Sequence, residues 1–213
     1  MTGKINRFTY YLGDTMYINL TNLCTNKCKF CIRSAGDTVG GVNLILEDEK
    51  FTAADVITEL ESTFEDRCRE IVFCGYGEPL IKLDIVKSVA AFIKDNYPNT
   101  PVRINSNGHA NLIHKKNIVP ELGGIIDKIS ISLNAQNAEL YNRLCSPSLE
   151  KDTAYEAVKE FIRLCAQHGI ETTASVVSGF EDFDVDVEEC RRIAQSLGAK
   201  LRVREWLPHG YDS

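Results

Sequence analysis

The chain has 213 residues and a net charge of −6, because 24 lysine and arginine residues face 30 aspartate and glutamate residues. Apolar residues make up 44% and charged residues 25%, which is typical of a folded domain and excludes a disordered chain. The acidic balance argues against general nucleic-acid binding. No apolar run approaches the roughly 18 residues of a membrane span, and the polar first residues do not resemble a secretory signal. We therefore expect one cytoplasmic domain over residues 1–213.

Short β-rich runs alternate with helical stretches along the whole chain. The predicted strands are residues 16–21, 70–74, 102–105, 128–133, 171–177 and 201–206. The predicted helices are residues 53–64, 84–96, a weak segment at 112–122, 138–144, 153–168 and 185–197. Gly169 and Gly198 stand where each of the last two helices should end. Six such units with right-handed crossovers predict an α/β fold with a parallel sheet, either doubly wound or curled into a partial barrel.

The pattern inside the strands favours the barrel. In the fourth predicted strand Ile129 and Ile131 alternate with Lys128, Ser130 and Ser132, and the first and sixth strands alternate in the same way. A sheet covered by helices on both faces should instead read as continuous apolar runs. We therefore expect a partial (β/α)6 TIM-like barrel whose apolar face packs on helices and whose polar face lines a cavity. The alternative is that these strands merely lie at sheet edges.

Three cysteines are crowded into eight residues after the first predicted strand. Cys24, Cys28 and Cys31 form a C-x3-C-x2-C motif, and three thiolates so close would repel each other without a cation. A cubane iron–sulfur cluster accepts such ligands and keeps one iron free of protein, where a small molecule can bind. The alternative is a closed zinc site, which needs a fourth ligand. The candidates for that ligand are Cys74, Cys145 and His109.

The motif, with the number and order of the strands, resembles the radical S-adenosylmethionine (SAM) superfamily over essentially the whole chain. The resemblance implies a [4Fe-4S] cluster on Cys24, Cys28 and Cys31, with SAM as the second cofactor. In that family an electron from the reduced cluster cleaves SAM into methionine and a 5′-deoxyadenosyl radical, which abstracts hydrogen from the substrate. An electron donor such as flavodoxin or ferredoxin is then also required.

The resemblance also implies which residues bind SAM. Phe30 stands where the family places an aromatic residue near the adenine, and the Gly75–Pro79 segment, GYGEP, resembles the family's Gly-Gly-Glu segment. Turns after later strands resemble further SAM-binding segments, with 178–181 the loosest match. The expected cofactor-binding residues are Phe30, Gly75, Tyr76, Gly77, Glu78, Ser106, Asn107, Ser132, Asn134 and Arg204.

The sequence says less about the substrate. Arg202 and Arg204 are two apart on one strand and so share a face, which suits a carboxylate or phosphate. Alternatively, one of them or Arg103 binds the SAM carboxylate, or these arginines neutralise glutamates on neighbouring strands. Cys74 and Cys145 are candidates for roles near the substrate. By contrast, we expect three other cysteines to be buried thiols: Cys68, Cys165 and Cys190.

More narrowly, the chain resembles the small radical SAM proteins associated with TatD-family nucleases. That resemblance rests on strings such as FCGYGEPL, 73–80, and LRVREW, 201–206. It implies a functional association with such a nuclease and no particular reaction. We expect no auxiliary-cluster extension. The alternatives are an activase that makes a glycyl radical on a partner protein and a non-enzymatic iron–sulfur or zinc module.

Overall fold

The computed structural model describes residues 6–34 and 36–206, and its centre is one seven-stranded sheet. The strands are β1 (Thr9–Leu12), β2 (Thr15–Ile18), β5 (Glu70–Phe73), β6 (Val102–Ser106), β7 (Lys128–Ser132), β8 (Glu171–Ser178) and β9 (Lys200–Glu205), with a separate hairpin of β3 (Thr38–Val39) and β4 (Val42–Asn43). The helices are α1 (Ala53–Thr63), α2 (Leu83–Asn96), α3 (Ala110–His114), α4 (Ala138–Cys145), α5 (Lys151–Gln167) and α6 (Val187–Ser196). Short 3-10 turns occur at Ile32–Ser34, Pro79–Lys82 and Val119–Leu122.

The strand order is β1-β2-β5-β6-β7-β8-β9. From β2 to β9 every neighbouring pair is parallel, and β1 alone pairs antiparallel with β2. The six parallel strands follow each other in chain order, as the sequence predicts. This order brings the carboxyl ends of all six strands to one edge of the sheet.

The two faces of the sheet differ as the alternation predicts. Residues such as Ile104, Ile129 and Ile131 are at most 1% exposed and pack in the main core. The other face is called the polar face below. In the middle of the sheet it is formed by Arg103, Asn105, Lys128, Ser130, Ser132, Glu171, Thr173, Ser175, Arg202 and Arg204.

The sheet curves toward its polar face. Arg204 on β9 interacts electrostatically with Cys74, directly after β5, although three strands lie between them. On a flat sheet, four steps of about 4.8 Å would separate these strands by roughly 19 Å, and charge interactions weaken with distance and screening. The electrostatic effect of Arg204 on the Cys74 thiol therefore indicates that the sheet curls toward this face, as it does in a partial barrel.

Several predicted boundaries are wrong for local reasons. The weak helical segment 112–122 splits into α3 and a 3-10 turn, because Lys115 adopts a left-handed conformation (φ 53°) and Pro120 follows. Helix α6 begins at Val187 since Asp186 caps its first turn. Gly169 and Gly198 do end helices, with φ of 78° and 82°.

No helix in the described ranges is long and apolar enough to cross a bilayer.

Two elements lie outside the prediction. Strand β1 extends the sheet beyond β2, and the β3–β4 hairpin forms within the long segment before α1. A second apolar cluster joins both elements to the GYGEP segment, and it comprises Tyr10, Val39, Leu44 and Tyr76. The two strands of the hairpin have two residues each, too few to show a periodicity in the sequence.

Candidate active site

The three motif cysteines lie on one loop at the carboxyl end of β2. We call residues 19–34 the cysteine loop. Cys24, Cys28 and Cys31 are each half-buried and none forms a disulfide. The loop is fixed by the end of α4, where Leu144 and Cys145 accept backbone hydrogen bonds from Lys29 and Lys27, each at 2.9 Å. The last carbonyls of a helix lack partners within it, so α4 offers free acceptors to the loop.

A buried environment surrounds the three thiols. Burial raises the pKa of Cys24 to about 11 and also raises the pKa of Cys31. The pKa of Cys28 is raised first by its contact with the Cys145 thiol and then by burial. Metal binding requires thiolates and therefore displaces protons here.

The hydrogen-bond donors around the motif cysteines suit a thiolate-bound cluster. Two N–H groups point at the Cys24 sulfur, Asn26 N at 3.4 Å and Asn107 Nδ2 at 3.6 Å. Hydrogen bonds to cluster sulfurs are one means by which proteins tune such centres. Within the described ranges, no three His, Cys, Asp or Glu side chains converge on a single metal ion. Three soft, partly exposed thiols with N–H donors nevertheless fit the cluster that the resemblance implies, and its assignment to Cys24, Cys28 and Cys31 stays a prediction.

The glycines of the GYGEP segment are required by close packing. A Cβ on Gly75 would lie 1.9 Å from Asn19 Oδ1, and one on Gly77 would lie 2.3 Å from the Leu23 carbonyl oxygen. The next residue, Glu78, donates its N–H to that same carbonyl at 2.8 Å. The segment therefore lies directly against the cysteine loop, one residue before Cys24.

Glu78 joins the ends of two strands. Its carboxylate is 2% exposed and accepts hydrogen bonds from Asn107 N at 2.6 Å, Ser106 Oγ at 3.0 Å and Leu80 N at 3.1 Å. Burial raises its pKa to about 7. The side chains of Glu78 and Ser106 are thus hydrogen-bonded within the protein, and they hold the two strand ends together. Any contact of this segment with SAM falls to its backbone and stays a prediction.

Tyr76 stands at the position of the first glycine in the Gly-Gly-Glu segment of the family that the chain resembles. Its ring is 4% exposed, packs in the second apolar cluster and places its hydroxyl 2.6 Å from the Gly36 carbonyl oxygen. The ring therefore ties the GYGEP segment to the chain that follows the cysteine loop. Its predicted contribution to SAM binding is untested.

The sequence does not predict a buried hydrogen-bond network that lies behind the cysteine loop. His109 is fully buried, with Nδ1 3.0 Å from Thr25 Oγ1 and Nε2 3.0 Å from the Tyr141 hydroxyl. Asn26 Nδ2 donates to that hydroxyl at 3.1 Å, and Asn107 Nδ2 donates to Thr25 Oγ1 at 2.8 Å. Burial lowers the pKa of His109 to about 4, so the ring is neutral and Nε2 can accept from Tyr141. No spacing in the sequence relates these residues.

Phe30 belongs to an aromatic group beside the loop. Its ring meets Phe180 edge-on at 5.8 Å, and Phe180 contacts Phe183 at 5.8 Å and Trp206 at 5.0 Å. Phe180 and Phe183 lie in the segment after β8, whose resemblance to a SAM-binding segment was the loosest. The contact places that segment next to the residue before Cys31.

The remaining predicted SAM-binding residues follow β7 and lie on β9. Ser132 is half-buried at the end of β7, while Asn134 is buried in a left-handed conformation (φ 60°) and donates to the Cys145 sulfur at 3.2 Å. Arg204 is partly buried, and its Nε is inaccessible to water with no hydrogen-bond partner. An unpaired buried donor is costly, so this Nε suits a ligand that accepts a hydrogen bond.

The other candidate residues separate into distinct roles. Arg103 pairs with Glu70 at 2.8 Å and donates to Asn105 at 2.6 Å, as the ion-pairing alternative predicts. Cys145 is fully buried, whereas Cys74 is half-buried, and burial raises the pKa of its thiol although the charge of Arg204 acts to lower it. The three cysteines expected to be buried are buried: Cys68, Cys165 and Cys190.

The chain matches the model of a known protein family. The family model of the Radical SAM superfamily matches residues 18–201, which includes the cysteine loop, the GYGEP segment and most of the sheet.

Two curated relatives illustrate the similarity at sequence level. The RlmN dual-specificity RNA methyltransferase of Hyphomonas neptunium is 24% identical over 200 residues, covering 87% of this chain and 49% of the relative. That of Phenylobacterium zucineum is 25% identical over 197 residues, with coverages of 87% and 49%. The chain thus spans about half the length of the curated relatives that it matches.

Solved structures share the fold at low identity. Streptococcus suis SuiB bound to S-adenosylmethionine gives a TM-score of 0.63 at 19% identity, covering 92% of this chain and 41% of SuiB. TYW1 with a lysine-pyruvate adduct gives 0.62 at 12%, covering 92% and 65%. Methylornithine synthase PylB gives 0.60 at 14%, covering 92% and 56%. The expected fold class is confirmed.

Proposed function

Because the chain belongs to the radical SAM superfamily, we propose that it is an enzyme whose substrate lies on the polar face, below a cluster held by Cys24, Cys28 and Cys31. When bound and reduced, the cluster supplies the electron that cleaves SAM into methionine and a 5′-deoxyadenosyl radical able to abstract hydrogen. The observation that carries the proposal is the packing of Gly77 and Glu78 against the cysteine loop.

The protein itself is proposed to position SAM for the reaction. The GYGEP backbone and the Ser106-Asn107 turn are locked to each other by Glu78, so the groups proposed for SAM keep one geometry before the ligand arrives. Such pre-organisation lowers the entropic cost of binding and reaction. Ser132 at the end of β7, Asn134 just after it and Phe30 on the cysteine loop are proposed to complete the site.

Arg204 is proposed to bind the SAM carboxylate. Support comes from its partly buried guanidinium, whose Nε lacks a partner, and from its place near the carboxyl ends of the strands. A charged donor to a carboxylate forms one of the stronger hydrogen bonds. Cys74, which faces it across the curl of the sheet, lies on the side proposed for the substrate.

A second candidate function is methyl transfer to RNA. It is favoured by the similarity to RlmN enzymes over 87% of this chain. The net charge of −6 opposes it, since RNA binding relies on cationic surfaces. Incubating the reconstituted protein with bulk RNA and methyl-labelled SAM separates the two, because only the methyltransferase leaves the label on RNA.

The direct test of the proposal is SAM binding by calorimetry. We expect binding after anaerobic reconstitution with iron and sulfide, and binding that is at least about tenfold weaker without them, because the open iron would be missing. A non-enzymatic module predicts no SAM binding even with an intact cluster. About one tightly bound zinc per chain, with no cluster absorbance, would also overturn the proposal.

The partners remain proposals as well. A one-electron donor such as flavodoxin or ferredoxin follows from the chemistry. The association with a TatD-family nuclease rests on the narrower resemblance alone, and co-purification of the two proteins tests it.

A further inference from the structure

A small cavity lies low on the polar face, away from the cysteine loop. Its volume is about 80 Å³ and it spans four neighbouring strands from β6 to β9. Arg103, Lys128, Ser130, Thr173 and Arg202 contribute to its walls. All of these lie within the first three residues of their strands, so the cavity is near the amino ends of the sheet. A single water occupies about 30 Å³ of liquid, and the cavity therefore admits a group of several atoms.

The walls of this cavity carry an excess of positive charge. Arg103, Lys128 and Arg202 line it, together with the carboxylate of Glu171. Glu70 lies beside it and pairs with Arg103 at 2.8 Å and with Lys128 at 3.4 Å. Glu171 has its own cation in Lys200 at 3.5 Å. Glu70 thus pairs with two cations, Arg103 and Lys128, while Glu171 pairs with a third, Lys200, so that among the described residues the paired cations outnumber their carboxylates.

One wall of the cavity holds a polar group without a partner. Ser130 is 5% exposed, and its hydroxyl is buried with no hydrogen bond. Buried hydroxyls are nearly always paired with protein or with ordered water, and leaving one unpaired opposes folding. A hydroxyl that donates to an oxygen of a bound anion would remove that cost. The unpaired hydroxyl points to a missing hydrogen-bond partner and the charge excess points to an anion, and an anionic group that accepts from Ser130 satisfies both independent observations.

We propose that this cavity holds a carboxylate or phosphate group of the substrate. This inference rests on the proposed function, because it concerns that enzyme's substrate. Anion binding at the cavity can nevertheless be measured independently of SAM cleavage. From Ser130 to Ser132, at the carboxyl end of β7, the strand rises about 6.6 Å. A substrate anchored at the cavity would thus present a carbon several bonds from its anionic group to the end of the sheet where the cysteine loop lies. The anchor would fix which hydrogen is exposed to abstraction.

The test is calorimetric titration of the reconstituted chain with inorganic phosphate, glycerol 3-phosphate and butyrate. We expect glycerol 3-phosphate or butyrate to bind, and Ser130→Ala and Arg202→Gln each to weaken that binding by about tenfold, as for a hydrogen bond to a charged group. Arg191→Gln, which removes an exposed arginine paired with Glu188 on α6, is the matched control and should change nothing.

Two results would overturn the inference. The first is no binding of any of the three probes, or equal binding by wild type and both variants. The second is binding of inorganic phosphate with neither tailed probe, because the cavity would then hold a free ion. Reductive SAM cleavage by the same preparation is measured separately, so failure of the anion site and failure of the proposed function give different results.

Discussion

At the scale of single residues, the GYGEP segment shows how a short motif combines packing with charge. Gly77 leaves room for the backbone before Cys24, while Glu78 ties that backbone to the next strand end. The motif could be found from the sequence by resemblance. The reason that its glycines are needed could not, because the crowding atoms belong to residues more than 50 positions earlier in the chain.

Gly77→Ala should disturb the cysteine loop. The new Cβ would meet the carbonyl oxygens of Leu23 at 2.3 Å and Thr21 at 2.4 Å, and overpacking of this kind costs about 1–3 kcal/mol. We expect a lower free energy of unfolding in urea and less iron per chain after reconstitution. Gly123→Ala is the control, because its Cβ meets only the Pro120 carbonyl oxygen, at 3.4 Å. Equal iron content in the two variants would contradict this account of the motif.

Glu78 should make stability depend on pH. Its folded pKa of about 7 lies above the ordinary 4.5, so the folded state binds the extra proton between these values. The free energy of unfolding then falls as pH rises from about 4.5 to 7, by about 3 kcal/mol from this group. Glu78→Gln removes the titration. Plots of the free energy of unfolding against pH should therefore converge or cross for the wild type and this variant. Parallel plots would contradict the effect of Glu78 on stability.

At the scale of elements, the cysteine loop is held from two sides. Glu49 accepts hydrogen bonds from Thr21 Oγ1 at 2.9 Å and from Asn22 N at 2.6 Å on one side, and the end of α4 holds the other. The His109 network fills the space behind. None of this could be predicted, because each contact joins segments that are distant in sequence, whereas the alternating strands and the helix-ending glycines carry local signals.

Tyr141→Phe should loosen the loop more than it destabilises the fold. The lost hydroxyl bridges His109 and Asn26, and its removal should cost about 1–3 kcal/mol, as for an unpaired buried group. Tyr155→Phe is the matched control, since that buried hydroxyl donates to the carbonyl of Ala135, which does not belong to the cysteine loop. We expect both variants to lose stability and only Tyr141→Phe to lose iron faster to a chelator. Equal rates of iron loss would show that the network does not support the loop.

At the scale of the whole molecule, the six parallel strands and their order could be predicted from the sequence. The curl of the sheet accounts for the alternation of polar and apolar residues along the strands, because one face lines a cavity and the other packs on helices. The prediction for the sixth strand was wrong in one respect. Val203 should pack on helices, yet it is 39% exposed, because β9 ends the sheet order and its outer face is only partly covered. An isolated alternation does not distinguish a covered strand from an edge strand.

Arg204 lies near the carboxyl end of β9, the end of the sheet at which we propose that SAM binds. If it binds the SAM carboxylate, Arg204→Gln should weaken SAM affinity by about tenfold through the lost charge-assisted hydrogen bond. The melting temperature should change little, since no hydrogen bond of its Nε is lost. Calorimetry and thermal unfolding measure the two effects, with Arg191→Gln as control. Unchanged SAM affinity would remove Arg204 from the cofactor site, and a parallel fall in stability would make its role structural.

The most direct test of the central claim is the amount of 5′-deoxyadenosine formed by anaerobically reconstituted protein with dithionite and SAM. The account predicts product from the wild type and from Cys165→Ala, whose thiol is buried in the core. It predicts none above background from Cys24→Ala, Cys28→Ala or Cys31→Ala, because a three-thiolate site has no spare ligand. Product from Cys28→Ala at the wild-type level, or none from a wild type that carries an intact cluster, would contradict it.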